Sequence, residues 1–121
     1  MISGLRTVAY PVTDLADATA WYRRVLERDP YFEQPYYVGF EVGGFELGLI
    51  LDGVPGSAGA TAFWGTADIV AEVNRIVALG AVIASPVTEV GDGIQVASLQ
   101  DPYGNLFGVI ENLHFDLAKV S

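Results

Sequence analysis

The chain repeats one order of predicted elements, and this repetition constrains the fold more than any other feature. Each half begins with a short strand candidate, continues with apolar residues at helical spacing and ends with three further strand candidates. Thr13 or Asp14 caps the first helix, and Asp68 caps the second. We expect the helices to close at Pro30 and Gly80. The repeated order predicts two βαβββ modules.

A glycine pair, Gly43 and Gly44, separates two apolar-rich strand candidates, as is typical of a two-residue hairpin turn. Such a turn predicts the pairs Val42–Phe45, Glu41–Glu46, Phe40–Leu47 and Val38–Leu49. One hairpin face is then wholly apolar and belongs against a helix. The other face carries Tyr37, Gly39, Glu41, Glu46, Gly48 and Ile50.

The segment from Asp52 to Ala60 is the one linker-like part of the chain, because it is rich in Gly, Pro, Ser and Ala and has no periodicity. It divides the chain into a first module (1–52), a linker (53–59) and a second module (60–121). The first strand is predicted over Leu5 to Val12. Later strands are predicted around residues 61–67, 82–87, 94–99 and 106–111.

Composition narrows the possible partners. The 121 residues suit one compact domain, and 15 acidic against 6 basic residues give a net charge of −9. This charge repels nucleic acid and anionic membranes, whereas a neutral or cationic small ligand is easier to accommodate. No apolar run approaches the roughly 20 residues of a membrane span. The N-terminus lacks the pattern of a signal peptide, so we expect a cytoplasmic protein.

Two stretches carry a resemblance to a known family. The residues around the first helix cap read VTDLADATAWYRRVL, and those of the last hairpin read LQDPYGNLFGVIE. They resemble the first strand–helix junction and the closing hairpin of the vicinal oxygen chelate superfamily, which includes glyoxalases, bleomycin-resistance proteins and extradiol dioxygenases. The resemblance implies an α+β fold of two βαβββ modules. Their curled mixed sheet surrounds a cavity, with helices on the outer face, and the protein is expected to be a homodimer.

The resemblance also implies where a divalent metal would be held. The corresponding places are Thr7, Thr61 or Ala62, Gly108, and Glu46 or Gly48. The chain has no cysteine, and its one histidine, His114, lies beyond the last strand. Because a chelated transition metal needs several N, O or S ligands, we expect no metal site and no other cofactor. Gly48 and Gly108 indicate either a roomy cavity floor or curvature of the sheet.

Two opposed carboxylates, Glu41 and Glu46, should repel each other unless one is protonated or a cation lies between them. They receive a cationic ligand group, or they are simply hydrated at an exposed hairpin end. Aromatic residues concentrate at two places, where they form a stacking wall or pack in the core and the dimer interface. These residues are Tyr31, Phe32, Tyr36, Tyr37, Phe63 and Trp64.

The resemblance and the missing metal ligands together favour a metal-independent protein of the bleomycin-resistance type, which would sequester a small organic molecule, such as an aromatic cation, in a cavity of the dimer. Its predicted ligand-binding residues are Thr7, Tyr37, Glu41, Glu46, Trp64 and Tyr103, and no catalytic residue is assigned. The alternative is a glyoxalase-like lyase or isomerase, or a dioxygenase, with a degenerate metal site. In that case Glu46 serves as a base or a lone ligand. A third possibility is a regulatory or scaffold domain with a collapsed cavity.

Overall fold

The computed structural model describes residues 5–51, 53–57 and 61–113, so His114 and part of the linker lie outside the described residues. Its elements follow the predicted βαβββ–βαβββ order, which confirms the α+β fold. They are β1 (Thr7–Pro11), α1 (Leu15–Leu26), β2 (Phe32–Gln34), β3 (Tyr37–Val42), β4 (Phe45–Ile50), β5 (Phe63–Gly65), α2 (Ile69–Ala78), β6 (Val82–Gly91), β7 (Ile94–Gln100) and β8 (Leu106–Glu111). Within these residues no helix is both long and apolar enough to cross a membrane.

The strands form two four-stranded mixed sheets with the same internal plan. Their orders are β1-β4-β3-β2 and β5-β8-β7-β6. In each sheet the first strand of the module pairs in parallel with the last, and the other neighbours are antiparallel. The chain divides into two compact units, Met1–Ala58 with Pro102–Asn105 and Gly59–Asp101 with Leu106–Ser121. The equivalent topology of the two sheets supports the predicted duplication.

Helix α1 begins as predicted but ends earlier than predicted. Asp14 is the N-cap, because its Oδ1 accepts the backbone N–H of Asp17 at 3.0 Å. The helix ends at Leu26 because Glu27 adopts the left-handed conformation, with φ 57° and ψ 39°. The prediction that Pro30 closes the helix was therefore wrong, since the chain has already turned away at Glu27.

Helix α2 follows its sequence signals at both ends. The Oδ1 of Asp68 accepts the backbone N–H of Ala71 at 3.1 Å, which makes Asp68 the cap. Gly80 follows the C-terminal cap with a φ of 109°, a conformation that favours glycine. Both predicted limits of α2 are confirmed.

The hairpin of β3 and β4 has the predicted register, including the opposed pair of Glu41 and Glu46. Both turn residues, Gly43 and Gly44, have positive φ values, 59° and 91°, as a type I′ turn requires. Helix α1 contacts both strands. The apolar face is fully buried through Val38, Phe40, Leu47 and Leu49. Because the alternation of a strand is strict, the other face of the hairpin must carry Tyr37, Glu46 and the paired glycines.

Strand β6 runs further than predicted, to Gly91. Its pairing with β7 shifts register between Ser85 and Thr88, around Pro86. Proline has no backbone N–H to give to a ladder, so it interrupts the regular pairing without ending the strand. The strand predicted from the sequence, residues 82–87, ends near this interruption. The observed strand continues beyond it on the edge of the sheet.

Candidate functional site

A carboxylate bound by three hydroxyl groups forms the most distinctive polar feature of the first unit. Glu46 Oε1 accepts hydrogen bonds from Thr7 Oγ1 at 2.8 Å and from the Tyr37 hydroxyl at 2.5 Å. Glu46 Oε2 accepts a hydrogen bond from the Tyr31 hydroxyl. These four residues are called the Glu46 cluster below. Their side chains share one face of the first sheet, opposite the face that packs on α1.

Strand pairing explains how the cluster assembles. Thr7 lies directly beside Glu46 because β1 and β4 pair in parallel in that register. Tyr37 starts β3, on the other side of β4, and its side chain reaches back along the sheet. Tyr31 precedes β2, where its backbone N–H donates to the Gly39 carbonyl at 3.0 Å. Three strands and one connecting segment therefore each supply one side chain.

Two glycines make room for the cluster. An ideal Cβ on Gly48 would stand 2.5 Å from the Tyr37 hydroxyl, and one on Gly39 would stand 2.5 Å from Glu46 Oε2. Gly39 and Gly48 are direct neighbours across the hairpin. The interpretation of Gly48 as an open floor was wrong, because the tyrosine ring occupies the space that its missing side chain leaves.

The electrostatics of the cluster favour an ionised Glu46. Burial raises the pKa of Glu46, but the hydrogen bonds from Tyr31, Tyr37 and Thr7 outweigh burial and leave this pKa below its ordinary value. Burial, the hydrogen bond and the charge of Glu46 raise the pKa of Tyr37. The hydrogen bond to Glu46 is also the main reason that the pKa of Tyr31 is raised. Near neutral pH the cluster is therefore one carboxylate held by neutral hydroxyls.

Within residues 5–51, 53–57 and 61–113, no arginine or lysine forms an ion pair with Glu46. The carboxylate instead lies beside aromatic rings. Phe32 lies near both tyrosines, with its ring centroid 6.4 Å from that of Tyr31 and 5.9 Å from that of Tyr37. Tyr31 is 64% exposed and Phe32 is 40% exposed. These three rings, called the aromatic wall below, lie next to a negative charge, and two of them, Tyr31 and Phe32, are exposed to solvent.

Glu41 is opposite Glu46 in the hairpin, as predicted, but the two carboxylates have different surroundings. The Glu41 carboxylate turns towards the hairpin end, where Oε1 accepts the backbone N–H of Gly44 at 2.8 Å. Oε2 lies 3.5 Å from Arg28 Nη1, which also donates to the Glu41 carbonyl at 2.8 Å. The repulsion between the two opposed carboxylates is thus reduced in two ways. Glu41 lies beside a cation, and Glu46 accepts hydrogen bonds from hydroxyl groups. The pair was expected either to receive a cationic ligand group or to lie hydrated at an exposed hairpin end. Glu41 lies at the exposed hairpin end.

Tyr103 is held away from the Glu46 cluster. Its hydroxyl donates to Asp17 Oδ2 at 2.8 Å and contacts the Asp14 carbonyl at 3.2 Å. It therefore fastens the DPYG turn to the first turn of α1. Asn105, the last residue of the same segment, donates to the Pro11 carbonyl at 2.7 Å. These contacts give the segment a structural role within the first unit, and a ligand contact by Tyr103 stays a prediction.

Trp64 lies in the second unit, on the sheet face that carries its core. It pairs with the buried Val109, and its ring stacks on the buried Phe107 with centroids 6.3 Å apart. Its neighbour Phe63 is on the opposite face, where its ring covers Gly108. An ideal Cβ on Gly108 would stand 2.6 Å from Phe63 Cδ1. The tryptophan thus has a packing role here, and its predicted contact with a ligand stays untested.

The two modules also match around Gly48 and Gly108. Ala9 pairs with Gly48, and Phe63 pairs with Gly108. Ala9 and Phe63 precede their respective helix caps by the same number of residues, so Gly48 is the counterpart of Gly108. Thr7, the place in β1 that the resemblance implies, pairs instead with Glu46, so both Glu46 and Gly48 stay open as the place in β4. The described residues contain no group of three or more His, Cys, Asp or Glu side chains that could hold a metal ion.

Two βαβββ units in one chain, each pairing its first strand in parallel with its last, define a glyoxalase-like class of protein. The sequence agrees with this topology. The family model described as Glyoxalase/Bleomycin resistance protein/Dioxygenase superfamily matches residues 4–109, and the chain belongs to this superfamily. The resemblance drawn from the two sequence stretches is thereby confirmed.

Solved structures repeat this fold at low sequence identity. The fosfomycin resistance protein FosX from Listeria monocytogenes has a TM-score of 0.78 and 19% identity, over 94% of this chain and 97% of that one. Lactoylglutathione lyase from Agrobacterium tumefaciens gives 0.75 and 21%, over 96% and 100%. TioX from Micromonospora sp. ML1 gives 0.69 and 22%, over 92% and 100%. A search of curated proteins gives no match. These likenesses establish the fold and leave the function to the residues of the site.

Thr7, Tyr37 and Glu46 were predicted from the sequence to lie at the site, and the structure brings these three together. The place of Tyr31 was not predicted, because the sequence shows this residue only as part of an aromatic stretch. Tyr31 lies outside any regular strand, so alternation gave no information about the direction of its side chain. One signal was present nonetheless: Gly39 faces Gly48 across the hairpin, and paired glycines in adjacent strands leave space for bulky side chains from elsewhere.

Proposed function

We propose that this protein is a metal-independent binding protein of the bleomycin-resistance type, which sequesters a small organic cation at the Glu46 cluster. The observation that carries the proposal is an ionised Glu46 beside exposed aromatic rings, with no cationic side chain paired to it among the described residues. A carboxylate in such a place attracts a positively charged group from solution.

The aromatic wall adds to this preference. The face of an aromatic ring attracts cations, so these rings add to the attraction of the carboxylate. Tyr31 and Phe32 are exposed and Tyr37 is half-buried, so a ligand ring has surface on which to stack. The net charge of −9 raises the local concentration of cations around the whole chain. A cation with an aromatic or apolar body satisfies all three features.

Binding without chemistry suits the state of these groups. Thr7, Tyr31 and Tyr37 each donate a hydroxyl hydrogen bond to Glu46, so they hold the carboxylate in place as a fixed charge. A protein that protects by sequestration needs such a fixed site and no reacting group. The family resemblance adds a homodimer to the proposal, which light scattering on the purified protein tests by giving the mass in solution.

The binding proposal is tested by titrating isotope-labelled protein with three ligands that share one ring: benzylamine (cationic), benzyl alcohol (neutral) and benzoate (anionic). We expect saturable amide shifts in β3, β4 and the segment at Tyr31 with benzylamine only. Glu46→Gln should abolish these shifts. Glu33→Gln is the matched control, because it removes the same charge from β2 on the face shared with the buried Val38. Saturable binding of benzylamine that survives Glu46→Gln would contradict the proposal.

A further inference from the structure

The two oxygens of Glu46 are not equivalent. Oε1 accepts two hydrogen bonds, from Thr7 and Tyr37, whereas Oε2 accepts one, from Tyr31. A carboxylate offers about four acceptor positions, two on each oxygen. Oε1 is therefore saturated, and the open acceptor position of the cluster is on Oε2. This is the oxygen beside the most exposed ring of the aromatic wall.

The surrounding hydroxyls add acceptors and no spare donors. A tyrosine hydroxyl can donate one hydrogen bond, and that of Tyr31 is donated to Glu46. Its oxygen keeps lone pairs that do not face the carboxylate. A ligand that approaches Oε2 therefore meets two acceptors, the carboxylate oxygen and the Tyr31 phenol oxygen, and the cluster offers it no proton. Such a surface binds groups that donate hydrogen bonds, and it offers no hydrogen bond to groups that only accept them.

We infer that the ligand class of this site is an N–H-bearing cation, namely a protonated amine, amidine or guanidine, and that Glu46 Oε2 and the Tyr31 phenol oxygen receive its N–H groups. This inference rests on the proposed function and narrows it, because a quaternary ammonium would satisfy the charge and the aromatic wall but neither acceptor. Tyr31 then distinguishes cations by their number of N–H groups, because one N–H binds Glu46 Oε2 and a second N–H binds the phenol oxygen of Tyr31.

The position of Tyr31 suits this role. Its backbone is fixed to β3 through the bond to Gly39, whereas its side chain is 64% exposed. Tyr37, by contrast, lies half-buried over Gly48 and bonds the saturated oxygen. The two tyrosines therefore have separate tasks. Tyr37 holds the carboxylate, and Tyr31 meets the ligand.

The test uses three cations that differ only in methylation: benzylamine, N,N-dimethylbenzylamine and benzyltrimethylammonium. Their dissociation constants are measured by amide-shift titration at neutral pH, where all three are charged. The tertiary amine is nearly as bulky as the quaternary ion but keeps one N–H. We expect it to bind at least about tenfold more tightly than the quaternary ion, as a charge-assisted hydrogen bond predicts. Benzylamine should bind more tightly still.

The variant Tyr31→Phe keeps the ring and removes the phenol oxygen. It should abolish the advantage of the primary over the tertiary amine and preserve that of the tertiary amine over the quaternary ion. If the quaternary ion binds as tightly as the tertiary amine in a Glu46-dependent way, the inference fails while the proposed function stands. If Tyr31→Phe leaves the primary amine's advantage intact, the role of Tyr31 is overturned. If none of the cations binds, both proposals fail.

Discussion

The hydroxyl of Tyr37 occupies the space above Gly48: an ideal Cβ added to this glycine would stand 2.5 Å from the Tyr37 oxygen and 3.0 Å from its Cζ. The same hydroxyl donates to Glu46 at 2.5 Å. The absence of a side chain at one position of β4 thus allows the side chain two positions earlier to be held by a tyrosine. In the second unit Phe63 covers Gly108 in a comparable way.

The first prediction concerns Gly48. Gly48→Ala should lower the free energy of unfolding by about 1–3 kcal/mol, because the new methyl group forces the Tyr37 ring away from Glu46. The cost should shrink in a Tyr37→Phe background, since the nearest clashing atom is then absent. Urea denaturation of the four proteins of this cycle measures both effects.

A matched control for this substitution is Gly65→Ala, also in a strand. An ideal Cβ on Gly65 meets no atom within 4 Å, so the change should be neutral or stabilising by up to about 1 kcal/mol. Equal losses of stability in Gly48→Ala and Gly65→Ala would show that loss of the strand glycine itself, and not the contact with Tyr37, is responsible.

A second prediction concerns Gly108. Its ideal Cβ would stand 2.5 Å from the Ala62 carbonyl oxygen, a backbone atom that also accepts the Gly108 N–H at 2.9 Å. A side chain can swing aside, but this carbonyl can move only if β5 shifts. Gly108→Ala should therefore lower the free energy of unfolding by about 3 kcal/mol in total. This loss should exceed that of Gly48→Ala. The same denaturation experiment ranks the two, and the reverse order would contradict this explanation.

A third prediction follows from the depressed pKa of Glu46. Because the folded-state pKa lies below the unfolded value, the stabilisation is present above the ordinary value near 4.5 and is lost as the pH falls through the folded pKa. The stability difference between wild type and Glu46→Gln should therefore shrink on acidification below pH 4.5. Thermal unfolding at a series of pH values measures it, and a difference that stays constant would rule out this linkage.

A fourth prediction concerns the two tyrosines of the cluster. Their pKa values are raised, so Tyr31 and Tyr37 should still be neutral at a pH where exposed tyrosines with an ordinary pKa have ionised. The free energy of unfolding should fall as the pH rises above about 10, since the unfolded state then loses these protons first. Phenolate absorbance of wild type, compared with that of Tyr31→Phe and of Tyr37→Phe, should assign one late-titrating group to each of these two residues. In Glu46→Gln the late group from Tyr31 should return towards the ordinary range.

The sequence predicted the elements because their signals are local. Capping by Asp14 and Asp68, and the turn at Gly43 and Gly44, depend on residues adjacent to the features they specify. Strict alternation then carried the register of the hairpin and placed Glu46 on the correct face. The end of α1 was missed because a left-handed Glu27 has no strong sequence signal, whereas Pro30 has one.

The site was predictable only in part, because its contacts join residues distant in the chain. Thr7 and Glu46 were assigned through the family resemblance and the strand alternation. Glu41 and Glu46 differ in the partners of their carboxylates, which are Arg28 for Glu41 and Tyr31 among others for Glu46. The side chains of Arg28 and Tyr31 reach the hairpin from segments without a periodic pattern. Trp64 was predicted to meet a ligand, but the parity of a three-residue strand left its face ambiguous until Phe107 was seen beside it.

The central claim is that the ionised carboxylate of Glu46 receives a cation. Its pKa, followed by carboxyl-carbon NMR in the free protein and in protein saturated with benzylamine, tests this most directly. Because a cation binds the ionised form more tightly, linkage requires the pKa to fall further on saturation. The account predicts a pKa below the ordinary range in the free protein and a lower one in the complex. A pKa that saturation with benzylamine leaves unchanged would contradict it.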